Sequence, residues 1–236
     1  MNIINIKDKE FYLVTILIVM FFGISAATIT GSAVRDAIFL IKYEKKFLPL
    51  MYVIIAMVMT FVIELYKRVS IKKNPSTFFV LSGSFFIVSL FVFHQNLFGP
   101  MVPVLYVWVE VITIIIILQF WMLASELLDT RQAKRIFPII TAGGSFAAIG
   151  SGYLIKPFVK HYGSENLLLP TIGFLALSIF AGHLLKSYIP KNVSPIPNTI
   201  SKTKIKGHKL EPYLKHIAVM IACSAFISRL TDYQFK

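Results

Sequence analysis

Seven uninterrupted apolar runs, near residues 11–33, 48–66, 76–98, 101–125, 136–159, 166–189 and 213–232, leave this chain little choice of architecture. Each is about as long as the roughly 20 helical residues that cross a hydrocarbon core of about 30 Å. Inside a bilayer the backbone must satisfy its own N–H and C=O groups, which only helices and closed barrels do. Barrel strands alternate apolar and polar residues over about ten positions, whereas these runs are continuously apolar. An all-α membrane protein with seven spans is therefore predicted. Composition points the same way, with 56% apolar and only 15% charged residues, where soluble domains carry roughly a quarter charged.

The first run, "FYLVTILIVMFF" followed by "GISAA", has the outline of a signal peptide. Its flank "KDKE" has no net positive charge and the apolar stretch continues to Val34, so it reads as a span. The net charge of +13 would suggest nucleic acid in a soluble protein. Here the distribution of charge gives another reason, and no nucleic-acid partner is predicted. With the N-terminus cytoplasmic, sixteen of the 24 Lys and Arg residues fall on the cytoplasmic side and eight on the other. The positive-inside rule then sets an N-in orientation. Cys223 is the only cysteine, and the histidines at 94, 161, 183, 208 and 216 show no metal-ligand spacing. Neither metal, cofactor nor catalytic centre is predicted.

Residues 190–212, "PKNVSPIPNTISKTKIKGHKLEP", form a long, proline-punctuated, lysine-rich connection that reads as a cytoplasmic linker. Residues 1–189 then form a six-helix bundle and 213–236 the first helix of an incomplete second bundle. Six spans, a long basic cytoplasmic loop and a new span is the layout of major-facilitator-type transporters. A truncated or split product is expected, with the lipid bilayer as its solvent and a second chain as the source of the missing half.

Glu110 lies about 13 Å below the outer surface if the fourth helix rises from Met101 at ~1.5 Å per residue. That is too deep for a short carboxylate to reach the headgroups, so it must face a cavity or a partner. Intramembrane carboxylates cost roughly 2.5–3.5 kcal/mol to insert, and a substrate, ion or proton path is the first reading of one, with a structural ion pair or a protonated interhelical hydrogen bond as the alternative. Arg35 lies near the outer end of the first run, where a long side chain can snorkel while Asp36 sits at the interface. If the first and fourth spans share a cavity, Arg35 and Glu110 form a charge pair that an anionic substrate breaks. Glu64 precedes Lys67 and Arg68 by three and four residues, the spacing of an intrahelical ion pair. Lys156 and Lys160 read as interfacial anchors.

In "DTRQAKRIFPIITAGGSFAAIGSG", Asp129 and Gln132 have the spacing of a capping box, which starts the fifth helix near Thr130. Arg131, Lys134 and Arg135 then share one face of its first two turns. They oppose the helix dipole, and an anion would relieve that conflict; the positive-inside rule accounts for them as well. Gly144, Ala148 and Gly152 repeat every four residues, with Gly143 beside them, and form a helix-packing surface that lets two backbones approach.

The stretch "YVWVEVITIIIILQFWMLASELLDTRQAKRIFPIITAGGSFAAIGSG" resembles the ATP/ADP antiporters of plastids and intracellular bacteria and their bacterial relatives of the major-facilitator type. The resemblance rests on Glu110, the Phe120–Trp121 pair, the run Ala133 to Phe137, and Gly143 with Gly144. In the first span "VRDAIFL" looks like the family's basic-Asp pair, with Arg35 where lysine is usual. The resemblance implies nucleotide exchange by alternating access in a bacterial inner membrane. It implies transport roles for Arg35 and Glu110 by position, with Arg131, Lys134 and Arg135 at the cytoplasmic entrance. A carrier of another anionic metabolite and a non-transporting scaffold are the alternatives.

Overall fold

The computed structural model describes residues 8–70, 74–96, 99–188 and Met220. Six long helices follow one another: α1 (Asp8–Lys42), α2 (Leu48–Ser70), α3 (Pro75–Gln95), α4 (Met101–Leu127), α5 (Thr130–Tyr162) and α6 (Leu168–Tyr188). Short 3-10 turns at Lys45–Phe47 and Glu165–Leu167 lead into α2 and α6. No strand occurs among the described residues. All six helices are long and apolar enough to cross a membrane, and the chain is an all-α integral membrane protein. The linker at 190–212 and the seventh run at 213–232 lie outside the described residues, Met220 apart.

The helix ends follow local chemistry. Pro75 opens α3 at a position where its missing N–H costs nothing. At the start of α5 the Gln132 side chain accepts from the Asp129 N–H at 3.0 Å, and the Asp129 side chain accepts from the backbone of Gln132. Gly163, at φ 83°, closes α5 in a conformation that L side chains rarely adopt. α1 extends past the apolar run to Lys42, so Arg35 and Asp36 stand two turns inside the helix.

α1 is the hub and packs against α4, α5 and α6; α3 bridges α4 and α6, and α2 rests on α4. At Gly23 a Cβ would lie 2.8 Å from the Phe174 carbonyl oxygen, so only glycine lets α1 and α6 come this close. Phe21 of α1, Phe120 and Trp121 of α4 and Phe137 of α5 form an aromatic knot with centroid separations from 4.8 to 5.3 Å. Polar ties cross the bundle too. The Trp108 indole donates to Ser89 at 2.8 Å, Ser82 donates to Gln119 at 2.8 Å, and Thr171 donates to Thr30 at 2.9 Å. In lipid such ties are worth about 0.6 kcal/mol each on average.

Candidate functional site

Because α1 and α4 cross, Arg35 and Glu110 meet across 75 residues of sequence. Arg35 Nη1 donates to Glu110 Oε2, while its Nε donates to Asp36 Oδ1 at 3.1 Å. The Tyr106 ring covers the guanidinium, its centroid 4.6 Å from Cζ, and Tyr106 interacts in turn with Tyr52 of α2. Arg35 is 5% exposed and Glu110 6%; Asp36 keeps part of its surface open. The guanidinium therefore ties α1 to α4, and Tyr106 extends the cluster to Tyr52 of α2.

Arg35 does not snorkel. The expectation that it sits at the end of the first span is corrected by the length of α1: with seven more helical residues beyond it, the side chain turns inward to a carboxylate. A charge this deep persists only when paired and hydrogen-bonded, and removing one partner of such a pair costs about 3–5 kcal/mol. Tyr106 escaped the sequence reading. Its signal was available, since it precedes Glu110 by four residues and so shares its helix face.

The basic cluster lies elsewhere. Arg131 and Lys134 are exposed and Arg135 is half-buried in the first two turns of α5. Glu110 stands seventeen residues before the end of α4, roughly 25 Å by helix rise. The two sets of charges occupy opposite ends of the bundle and do not form a single site.

The small-residue stripe divides. Gly144 is pressed against the Phe21 ring and lies near Ser25 Oγ, 2.8 Å from where a Cβ would stand; at Gly143 a Cβ would stand 3.0 Å from Ile18. Ala148 is half-buried, and Gly152 is exposed with nothing within 4 Å. The reason is angular. Steps of four drift about 40° each around a helix of 3.6 residues per turn, so the buried row is Gly144, Ala147 and Ser151.

Glu64 pairs with Lys67 at 3.6 Å and Arg68 at 3.5 Å on an exposed surface, a solvated arrangement of little energetic weight. Lys156 and Lys160 are exposed. A cavity of about 430 Å³ between α1, α5 and α6 is lined by Leu154, Phe158, Leu167, Pro170 and Phe174. It touches none of the charged residues above. A smaller gap of about 10 Å³ lies beside the α1–α4 crossing, near Thr28, Gly31 and Thr113. No group of three His, Cys, Asp or Glu side chains able to hold a metal occurs among the described residues.

No family model, curated protein or solved structure matches this chain. Fold and site therefore define it as a helical integral membrane protein with a buried ion pair at the crossing of its two most buried helices.

Proposed function

We propose that the chain is the N-terminal six-helix bundle, with the start of a second, of a major-facilitator-like carrier. It moves an anionic metabolite by alternating access, with nucleotide exchange of the ATP/ADP type as the leading case. Its N-terminus faces the cytoplasm of a bacterial cell, and a second chain or the remainder of a longer one supplies the other half. The observation that carries this reading is the buried Arg35–Glu110 pair linking α1 to α4 within the membrane span. A paired charge can exchange its partner for a substrate charge, which gives the differential binding that a conformational switch requires. Arg131, Lys134 and Arg135 stand at the entrance on the N-terminal side, where an anion would first meet positive charge. This protein does no covalent chemistry in that mechanism.

A non-transporting scaffold is favoured by one observation. The Arg35–Glu110 pair is buried and lines neither of the two cavities described above. Thermal unfolding of the purified chain with ATP, ADP or inorganic phosphate separates the two readings. A carrier is stabilised by RT ln(1 + [L]/Kd); no shift with any of the three favours the scaffold. Exchange of labelled external ATP against internal ADP in proteoliposomes should fall sharply in Glu110→Gln and Arg35→Ala. Unaltered exchange in both removes the assigned roles.

A further inference from the structure

The cavity of about 430 Å³ between α1, α5 and α6 stands apart from the charge clusters, and its dimensions select an occupant. Along α5 its lining runs from Ser151 to Tyr162, about 16 Å of helix at ~1.5 Å per residue. That is about the depth of one leaflet, half of a hydrocarbon core of about 30 Å. Tyr162 is the last residue of α5. The cavity therefore opens at the membrane interface opposite the start of α1 and runs inward to Ser151 and Thr30.

Its inner end asks for nothing polar. The Thr30 hydroxyl donates to the Ala26 carbonyl at 2.8 Å and accepts from Thr171 at 2.9 Å, and Ser151 donates to the Ala147 carbonyl at 2.6 Å. From there to the mouth the walls are hydrocarbon, chiefly Leu154, Ile155, Phe158 and Phe174. A space lined in this way stays dry and takes apolar occupants. Polar groups stand at the outer end, where His161 and Tyr162 are exposed. Lys156 and Lys160 do not belong to the mouth. Each lies two residues from Leu154, Phe158 or Tyr162, hence about 160° around the helix from them.

Width decides between a protein segment and a lipid. Spread over its length of about 16 Å, the volume of about 430 Å³ gives a mean cross-section of about 26 Å². A helix about 10 Å across needs roughly 80 Å², so neither a further span nor a second copy of the chain can seat a helix here. A single methylene chain, with carbon contacts at about 4.5 Å, needs roughly 20 Å².

We infer that this cavity is a binding site for one acyl chain of a phospholipid in the leaflet away from the N-terminus, with the chain lying along α5 and the headgroup emerging beside His161 and Tyr162. Tyrosine suits that interfacial position. Because both lysines face elsewhere, chain length rather than headgroup charge sets the affinity. Carbon–carbon bonds of about 1.5 Å at about 111° advance roughly 1.25 Å per carbon, so about thirteen carbons fill the groove. The inference rests on the membrane span alone and is independent of the carrier reading.

The test uses the full chain purified in a steroid detergent, which has no straight chain to compete, and supplied with phosphatidylcholine. Native mass spectrometry should show one lipid retained per chain. Retention should rise about tenfold as the acyl chains lengthen from about eight to about fourteen carbons, then level off, because carbons beyond the groove gain no wall. Leu154→Trp and Ile155→Phe put bulk into the groove and should each cut retention by about tenfold, with the lipid-free unfolding midpoint kept. Lys156→Gln with Lys160→Gln should leave retention as it was, and phosphatidylglycerol should bind within about twofold of phosphatidylcholine. The chain-length series uses the unaltered protein and decides the matter even where a filled variant fails to fold. Absence of a retained lipid, retention that ignores chain length, or undiminished retention in folded Leu154→Trp and Ile155→Phe each overturn the inference. A preference of about tenfold for the anionic lipid that disappears with the two lysines also overturns it, by moving the lipid to the other side of α5.

Discussion

Arg35 is buried, held between Asp36 and Glu110 and covered by Tyr106. Along α5, by contrast, Arg131, Lys134, Lys156 and Lys160 are exposed with no carboxylate partner among the described residues. The same charge has opposite surroundings in the two regions, and the difference separates two uses of a cation in a membrane. A buried charge must bring its counter-charge with it, so it couples helices and resists removal. An exposed, unpaired one adds little to stability and remains available to a mobile anion. Stability measurements should therefore be sensitive to the first region and blind to the second.

The largest effect is expected at the α1–α4 crossing. Glu110→Ala leaves the Arg35 guanidinium with half its counter-charge and should destabilise the bundle by about 3–5 kcal/mol, read from thermal unfolding in detergent. Replacing both members, Arg35→Met with Glu110→Leu, should recover much of that loss, because an apolar pair of similar volume carries no desolvation cost. If the double variant is as unstable as Glu110→Ala alone, the pair is not the unit described here.

Next in size is the α1–α5 seam. Gly144→Val drives a side chain into Phe21 and Ser25 and should cost about 1–3 kcal/mol by overpacking. Gly152→Ala, where a Cβ meets nothing within 4 Å, should raise the unfolding midpoint slightly, because alanine is favoured over glycine by about 0.5–1 kcal/mol inside a helix. Equal losses at the two glycines would mean that α5 meets α1 through a different face. Smaller again is Trp108→Phe, which removes the 2.8 Å bond to Ser89 and should cost about 0.5–1.5 kcal/mol. At the bottom of the scale, Lys134→Gln and Lys156→Gln should not move the midpoint at all. A clear destabilisation by either would show that these lysines are structural, and the contrast with Arg35 would collapse.

Much of the fold was legible because lipid is a demanding solvent. Six of the seven apolar runs correspond to α1 through α6, and the start of α5 was readable from Asp129 and Gln132 alone, since a capping box is local chemistry. The end of α1 was not. Hydropathy falls at Arg35 and Asp36, where the apolar run stops, yet α1 continues to Lys42 with Ile38 and Phe39 buried in the core and Arg35 paired to Glu110. The small-residue row of α5 was visible as a pattern, but its division into a half that seats α1 and a half that faces away depends on where α1 lies.

By itself the sequence determined that the chain is helical and membrane-embedded, where most of its helices begin and end, and that the Glu110 carboxylate needs a cavity or a partner because it cannot reach the headgroups. Each of these follows from the cost of exposing backbone or charge to hydrocarbon, which acts on local stretches of chain. Only the tertiary structure decided that Arg35 is the partner of Glu110, that Tyr106 covers them, and that the cations of α5 stand apart from both. Pairing across 75 residues is set by which helix faces pack together, and that choice is made by the shapes of all six at once.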